Sequence, residues 1–184
     1  MRRVMALVVA AIVCVGMSGQ DTKEARERVS EIRKMYSEAK TMSSENVKHD
    51  ETRNDLEISV RQNVPGIGYQ KMSIRMYYQP GEFDNDRGVA DYYPYLITAK
   101  YNVAARDFYE EYLYDMTEHE LVFVFRKFTD VDGTPTEVRY YWGKDGKIVH
   151  KALKGKNEGL GEDDMQKRGQ GLVGVMNGIV NSDM

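Results

Sequence analysis

The chain has 184 residues, 26 basic and 29 acidic, and a single cysteine. That length suits one domain with its own core, and one cysteine rules out an internal disulfide. The basic residues are scattered along the sequence rather than clustered, which argues against nucleic acid as a partner.

The amino terminus reads as a cleavable signal peptide over residues 1–19. Arg2 and Arg3 precede an apolar run from Val4 to Val15, followed by the small residues Gly16, Ser18 and Gly19. A run of about twelve residues falls short of the roughly twenty that a membrane-spanning helix needs. Cys14 has Val13 before it and sits inside the apolar run, unlike a lipid-attachment cysteine. Removal of the leader takes that thiol with it. It leaves about 165 residues with 24 basic against 29 acidic side chains, a formal charge of −5. The expectation is an exported protein, periplasmic or extracellular, with residues 20–184 forming a single domain.

From Asp21 to Met42 the residues Ala25, Val29, Ile32, Tyr36 and Ala39 recur at spacings of four and three, predicting an amphipathic helix. Asp21 with Glu24 suits a capping box, and Ile32 and Tyr36 are expected to face a sheet. From Asp55 the period drops to two: Leu56, Ile58 and Val60 form one strand face. A turn at Asn63 to Gly68 leads to a second strand with Met72, Ile74, Met76 and Tyr78 inward. An acidic loop, Gly81 to Asp91, is expected next, then a third strand with Tyr95, Ile97, Ala99 and Tyr101 on one side.

Later strands differ in being apolar or aromatic on both faces: Phe108 to Asp115, Leu121 to Phe128 and Val138 to Trp142. Such strands must be covered on both sides. A last hairpin turns at Asp145-Gly146, read as a tight two-residue loop, and returns through Ile148 to Leu153. The carboxy-terminal segment Glu162 to Val180 has Met165, Leu172, Met176 and Ile179 at helical spacing. Gly169, Gly171, Gly174 and Gly178 lie inside it, so this helix forms only if packed. The expected fold is α+β: a long amino-terminal helix on a curved antiparallel meander of about seven strands, with a glycine-rich carboxy-terminal helix. In outline this is similar to exported bacterial proteins that pack a helix on a curved sheet, including lipid-carrier and cystatin-like folds.

The sequence offers little recognisable chemistry. His119-Glu120 opens like a zinc-protease motif, but Phe123 stands where the second histidine belongs. The acidic loop from Glu82 does not match a calcium loop, having Arg87 at position 6 and Tyr93 at position 12. No metal site and no cofactor is therefore expected. Glu110 and Glu111 are adjacent on a strand and must point to opposite faces, so they cannot act as a paired acid and base. What remains is a non-enzymatic binding or interaction module, a carrier of an apolar ligand held between sheet and helices, or a hydrolase with an acidic site assembled by the fold. The expected partner or ligand face is the second apolar face of the middle strands, assigned to Leu113, Val122, Val124 and Tyr141, unless the carboxy-terminal helix covers it.

Overall fold

The computed structural model describes residues 22–48, 53–86, 89–156 and 159–181; the expected leader, Asp21 and His49 lie outside them. Helix α1 (Lys23–Asn46) is followed by seven strands: β1 (Asp55–Val64), β2 (Gly68–Asp84), β3 (Val89–Val103), β4 (Arg106–Tyr114), β5 (Leu121–Thr129), β6 (Pro135–Trp142) and β7 (Ile148–Lys154). Helix α2 (Glu162–Val180) closes the chain. The strands pair antiparallel in sequence order, an uncrossed meander with β1 and β7 at its edges. No described helix is long and apolar enough to cross a membrane.

Each helix covers one face. Under α1 lie Tyr95, Leu96, Leu113, Val122, Phe123 and Tyr141, packed against Val29, Ile32 and Ala39 of the helix. Under α2 lie Met76, Ile97, Tyr112, Val124, Val138 and Tyr140, packed against Met165 and Met176. The two-faced apolar strands β4 to β6 are thus covered on both sides by the chain's own helices. The cap of α1 is Thr22, whose hydroxyl accepts the Ala25 amide hydrogen at 3.1 Å. At its other end Asn46 exchanges hydrogen bonds with the Asn54 backbone, both 3.2 Å long, tying the helix to β1.

Four register irregularities interrupt the pairing, one between Pro80 and Phe83 near the end of β2 and three that alter the simple alternation over the core. Tyr77 pairs with Leu96 and Tyr78 with Pro94, so Tyr95 is an extra residue. Val122 is extra between the pairs Leu113 with Phe123 and Tyr114 with Leu121. Val149 is extra between Tyr141 with His150 and Trp142 with Ile148. All three put an additional side chain on the α1 face, and bulges of this kind bend a strand and strengthen its twist. Tyr95 therefore lies on the α1 face, opposite to the face that strict alternation assigns it.

Other expectations are corrected as well. The acidic loop is mostly strand: Pro80 pairs with Tyr92 and Phe83 with Ala90, so β2 and β3 run on as a long hairpin. At the last hairpin only Gly146 takes a positive φ, of 72°. The loop is Gly143 to Lys147, closed by the Gly143 amide donating to the Lys147 carbonyl at 2.8 Å. In α2, Ile179 is 47% exposed rather than inward. Of its glycines, Gly169 alone approaches the sheet, where a Cβ would meet Leu121, Tyr112 and Tyr114 at 3.0 to 3.2 Å. Gly171, Gly174 and Gly178 face open space.

Candidate functional site

The four side chains expected to form one partner face do not share a face. Leu113, Val122 and Tyr141 belong to the layer under α1, whereas Val124 pairs with Tyr112 and Tyr140 and lies under α2. The bulge at Val122 is the reason: it places Val122 on the side of Phe123, so Val122 and Val124 point to opposite faces despite their even spacing. All four are buried. A surface site must therefore be sought elsewhere.

The mid-strand pair Glu110 and Glu111 is the first unusual feature, because both carboxylates are buried and each belongs to a different layer. On the α2 side, Glu110 Oε1 accepts from the Tyr101 hydroxyl at 2.5 Å and lies 3.2 Å from Arg126 Nε. Its Oε2 accepts from the Tyr112 hydroxyl at 2.8 Å and lies 2.9 Å from Arg168 Nε. Burial and the neighbouring carboxylate push the Tyr101 phenol up to about 12. Both oxygens are fully occupied, and Arg168 comes from α2. The arrangement is a buried ion cluster that fixes the helix to the sheet. Tyr114 and Tyr140 add to this by donating to the Gly169 and Leu160 carbonyls, each at 2.9 Å.

On the α1 side, Glu111 accepts from Lys40 Nζ at 2.8 Å and from the hydroxyls of Tyr36 and Tyr109. Burial alone would raise its carboxyl, but the hydrogen bonds from Lys40, Tyr109 and Tyr36 outweigh it and hold the group below the ordinary carboxylate value. Burial and the same carboxylate push both phenols well above theirs. Unlike Glu110, this group stands at the boundary between a dry layer and an open one, since Lys40 is 43% exposed.

Past that boundary the α1 face changes character. The strand register lines up Glu57, Arg75, Thr98, Glu111 and Phe125 in one cross-strand row, and Ser73, Lys100, Tyr109 and Lys127 in the next. Between these rows and the end of α1 is a cleft of about 370 Å³, walled by Lys40 and Ser43 of the helix and floored by Ser73, Arg75, Thr98 and Tyr109. Arg75 is held by Glu57 and Asp55. A larger open hollow of about 800 Å³ adjoins it and shares Ser73, Lys100 and Tyr109 with it. Hydroxyls, amines and a tyrosine thus converge on the face where, further along, α1 buries Val29 and Ile32 against Leu113, Phe123 and Tyr141.

Apart from Glu111, none of these residues stands out in the sequence, because five strands and a helix contribute one or two each. One signal was available for the glutamates. Two adjacent charges in the middle of the aromatic strand Phe108-Tyr109-Glu110-Glu111-Tyr112 must each be paired inside a covered layer. No family model matches the chain, and neither does any curated protein or solved structure.

Proposed function

We propose that the protein is an exported, non-enzymatic binding module whose ligand, a small polar molecule, occupies the cleft beside the end of α1. The observation that carries the reading is the change along one face: an apolar helix-to-sheet layer gives way to a polar recess of ligand size. Hydroxyl and cationic groups held at the mouth of a packed layer are the kind of few, placed polar contacts by which ligand sites fix orientation. Export rests on the basic start, short apolar run and small residues of positions 1–19, and the working compartment is the periplasm or the cell exterior.

The two rival readings receive less support. The space between the sheet and each helix is filled by packed side chains, which weighs against an apolar ligand carried there. A hydrolase with an acidic site needs a carboxyl group free to exchange a proton at the operating pH. Glu110 has both oxygens engaged, and Glu111 is held below the ordinary carboxylate range, favouring its charged form.

Saturation-transfer NMR against a panel of monosaccharides, disaccharides and small dicarboxylates tests the reading, with Ser73→Trp as the variant that fills the cleft. At least one panel compound is expected to bind the wild-type protein and to lose binding in Ser73→Trp, while the melting temperature is unchanged. Equal binding by both proteins would place the site elsewhere.

A further inference from the structure

We infer that the ligand of this cleft is an acidic oligosaccharide that continues from it into the adjoining hollow across β2 to β5, with its acid groups on Lys100, which lines both, and on Lys71 and Lys127 of the hollow. The inference rests on the reading of the cleft as a ligand site and adds the chemical class and the direction of the bound chain. Lys71, Lys100 and Lys127 are exposed. They project from the same face of three different strands: Lys71 is two residues before Ser73, which pairs with Lys100, and Tyr109 pairs with both Lys100 and Lys127. They are far apart in sequence and are gathered only by the register.

Their charges are uncommitted. Three acids of the same face are engaged by other cations: Glu57 with Arg75, Glu111 with Lys40, and Glu137, the cross-strand neighbour of Lys127, with Arg139. None of the three lysines forms an ion pair among the described residues; Lys100 lies over the Tyr109 ring with Nζ 5.8 Å from its centroid. Asp107, in the next row, is the acid that lines the hollow beside them. A positive stripe on a chain whose mature form carries a formal −5 runs against the average charge of the molecule, and such a local field selects anionic ligands.

The geometry narrows the class. Lys100 and Lys127 flank Tyr109 from two strands apart, a separation of about 10 Å at their backbones, which suits successive acid groups on one chain better than a single small anion. Between them stands the Tyr109 ring, and Ser73, Asn102 and Thr129 line the same hollow, the combination that meets the apolar ring faces and hydroxyls of a sugar. An acidic peptide added as a strand would use a sheet edge, yet these residues lie on the face of the interior strands. A membrane would meet a recess here.

Isothermal titration of the mature chain with trigalacturonate tests this, with maltotriose as the neutral counterpart and a glutamate oligopeptide as the non-sugar acid. Binding of trigalacturonate is expected at least tenfold tighter than of either comparator. It should weaken about tenfold or more between ~0.05 and ~0.5 M salt, because exposed charge pairs are screened. Lys100→Gln with Lys127→Gln should lose at least tenfold with an unchanged melting temperature. Lys144→Gln, a substitution of an exposed lysine on the β6–β7 loop, should bind as wild type. Maltotriose binding equally well and indifferent to salt overturns the acidic class and leaves the cleft reading standing. Equal binding of the oligopeptide overturns the sugar, and no binding of trigalacturonate overturns the inference itself.

Discussion

The two faces of the sheet solve the same burial problem differently. Beneath α2 the layer is closed along the helix: Met165 and Met176 are fully buried, Glu110 is saturated by two arginines and two tyrosines, and Asn181 clasps the Tyr92 backbone through bonds of 2.8 and 2.9 Å. Beneath α1 the layer is closed only as far as Glu111, whose partner Lys40 reaches solvent, and then opens into a polar cleft. Two adjacent glutamates on one strand thus mark a structural interior on one side and the rim of a cleft on the other. Burial alone does not distinguish such roles; the neighbours of each carboxylate do.

The largest effect that separates the faces is loss of either carboxylate. Glu110→Leu strands two mostly buried guanidinium groups and is expected to cost about 3–5 kcal/mol of stability, the range for removing one partner of a buried ion pair. Glu111→Leu leaves an amine that can turn to water and two phenols near the cleft, and is expected to cost about 1–3 kcal/mol. Urea denaturation of the two variants measures both, and equal losses would erase the distinction between interior and rim.

Acid and alkali should probe the two sides differently. The Glu111 carboxyl is lowered in the folded state, so its contribution is present above the usual 4.5 and is lost as the pH falls through its lower folded value. The phenols of Tyr36, Tyr101, Tyr109 and Tyr112 are raised, chiefly by burial. Their contribution is present below the ordinary tyrosine value of about 10 and is lost as the pH rises above it. Glu111→Gln is therefore expected to flatten the acid limb of a stability profile while an alkaline limb, sustained by Tyr101 and Tyr112 beside Glu110, persists. An unchanged acid limb would contradict the role given to Lys40 and the two tyrosines.

The smallest effects concern α2. Gly171→Ala, Gly174→Ala and Gly178→Ala each meet open space and should stabilise by about 0.5–1 kcal/mol through helix propensity. Gly169→Ala meets three side chains at 3.0 to 3.2 Å and should gain less than any of them, or lose. Thermal melts of the four variants decide whether Gly169 is the point at which α2 is seated on the sheet.

Much of this architecture is written locally in the sequence. The apolar stripe of Val29, Ile32 and Ala39, the alternation from Leu56 onward and the spacing of Met165 and Met176 each report a helix or strand within a short window. The bulges at Tyr95, Val122 and Val149 are not written that way, since strict alternation carries no mark of an extra residue. That is why alternation puts Val122 and Val124 on one face while the fold puts them on two. The cleft is less legible still: Lys40, Arg75, Thr98 and Tyr109 meet only after a helix and three strands have taken their register. A basic stripe built from residues about thirty positions apart reads, along the chain, as scattered charge.

The most direct test of the account is to map amide chemical-shift changes in the labelled protein lacking residues 1–19 on titration with trigalacturonate. The account predicts that the shifts cluster at Ser73, Thr98, Lys100, Tyr109 and Lys127, with those of α2 and of the residues beneath it undisturbed. Shifts centred on α2 or on the edge strands β1 and β7, with the cleft residues silent, would contradict it.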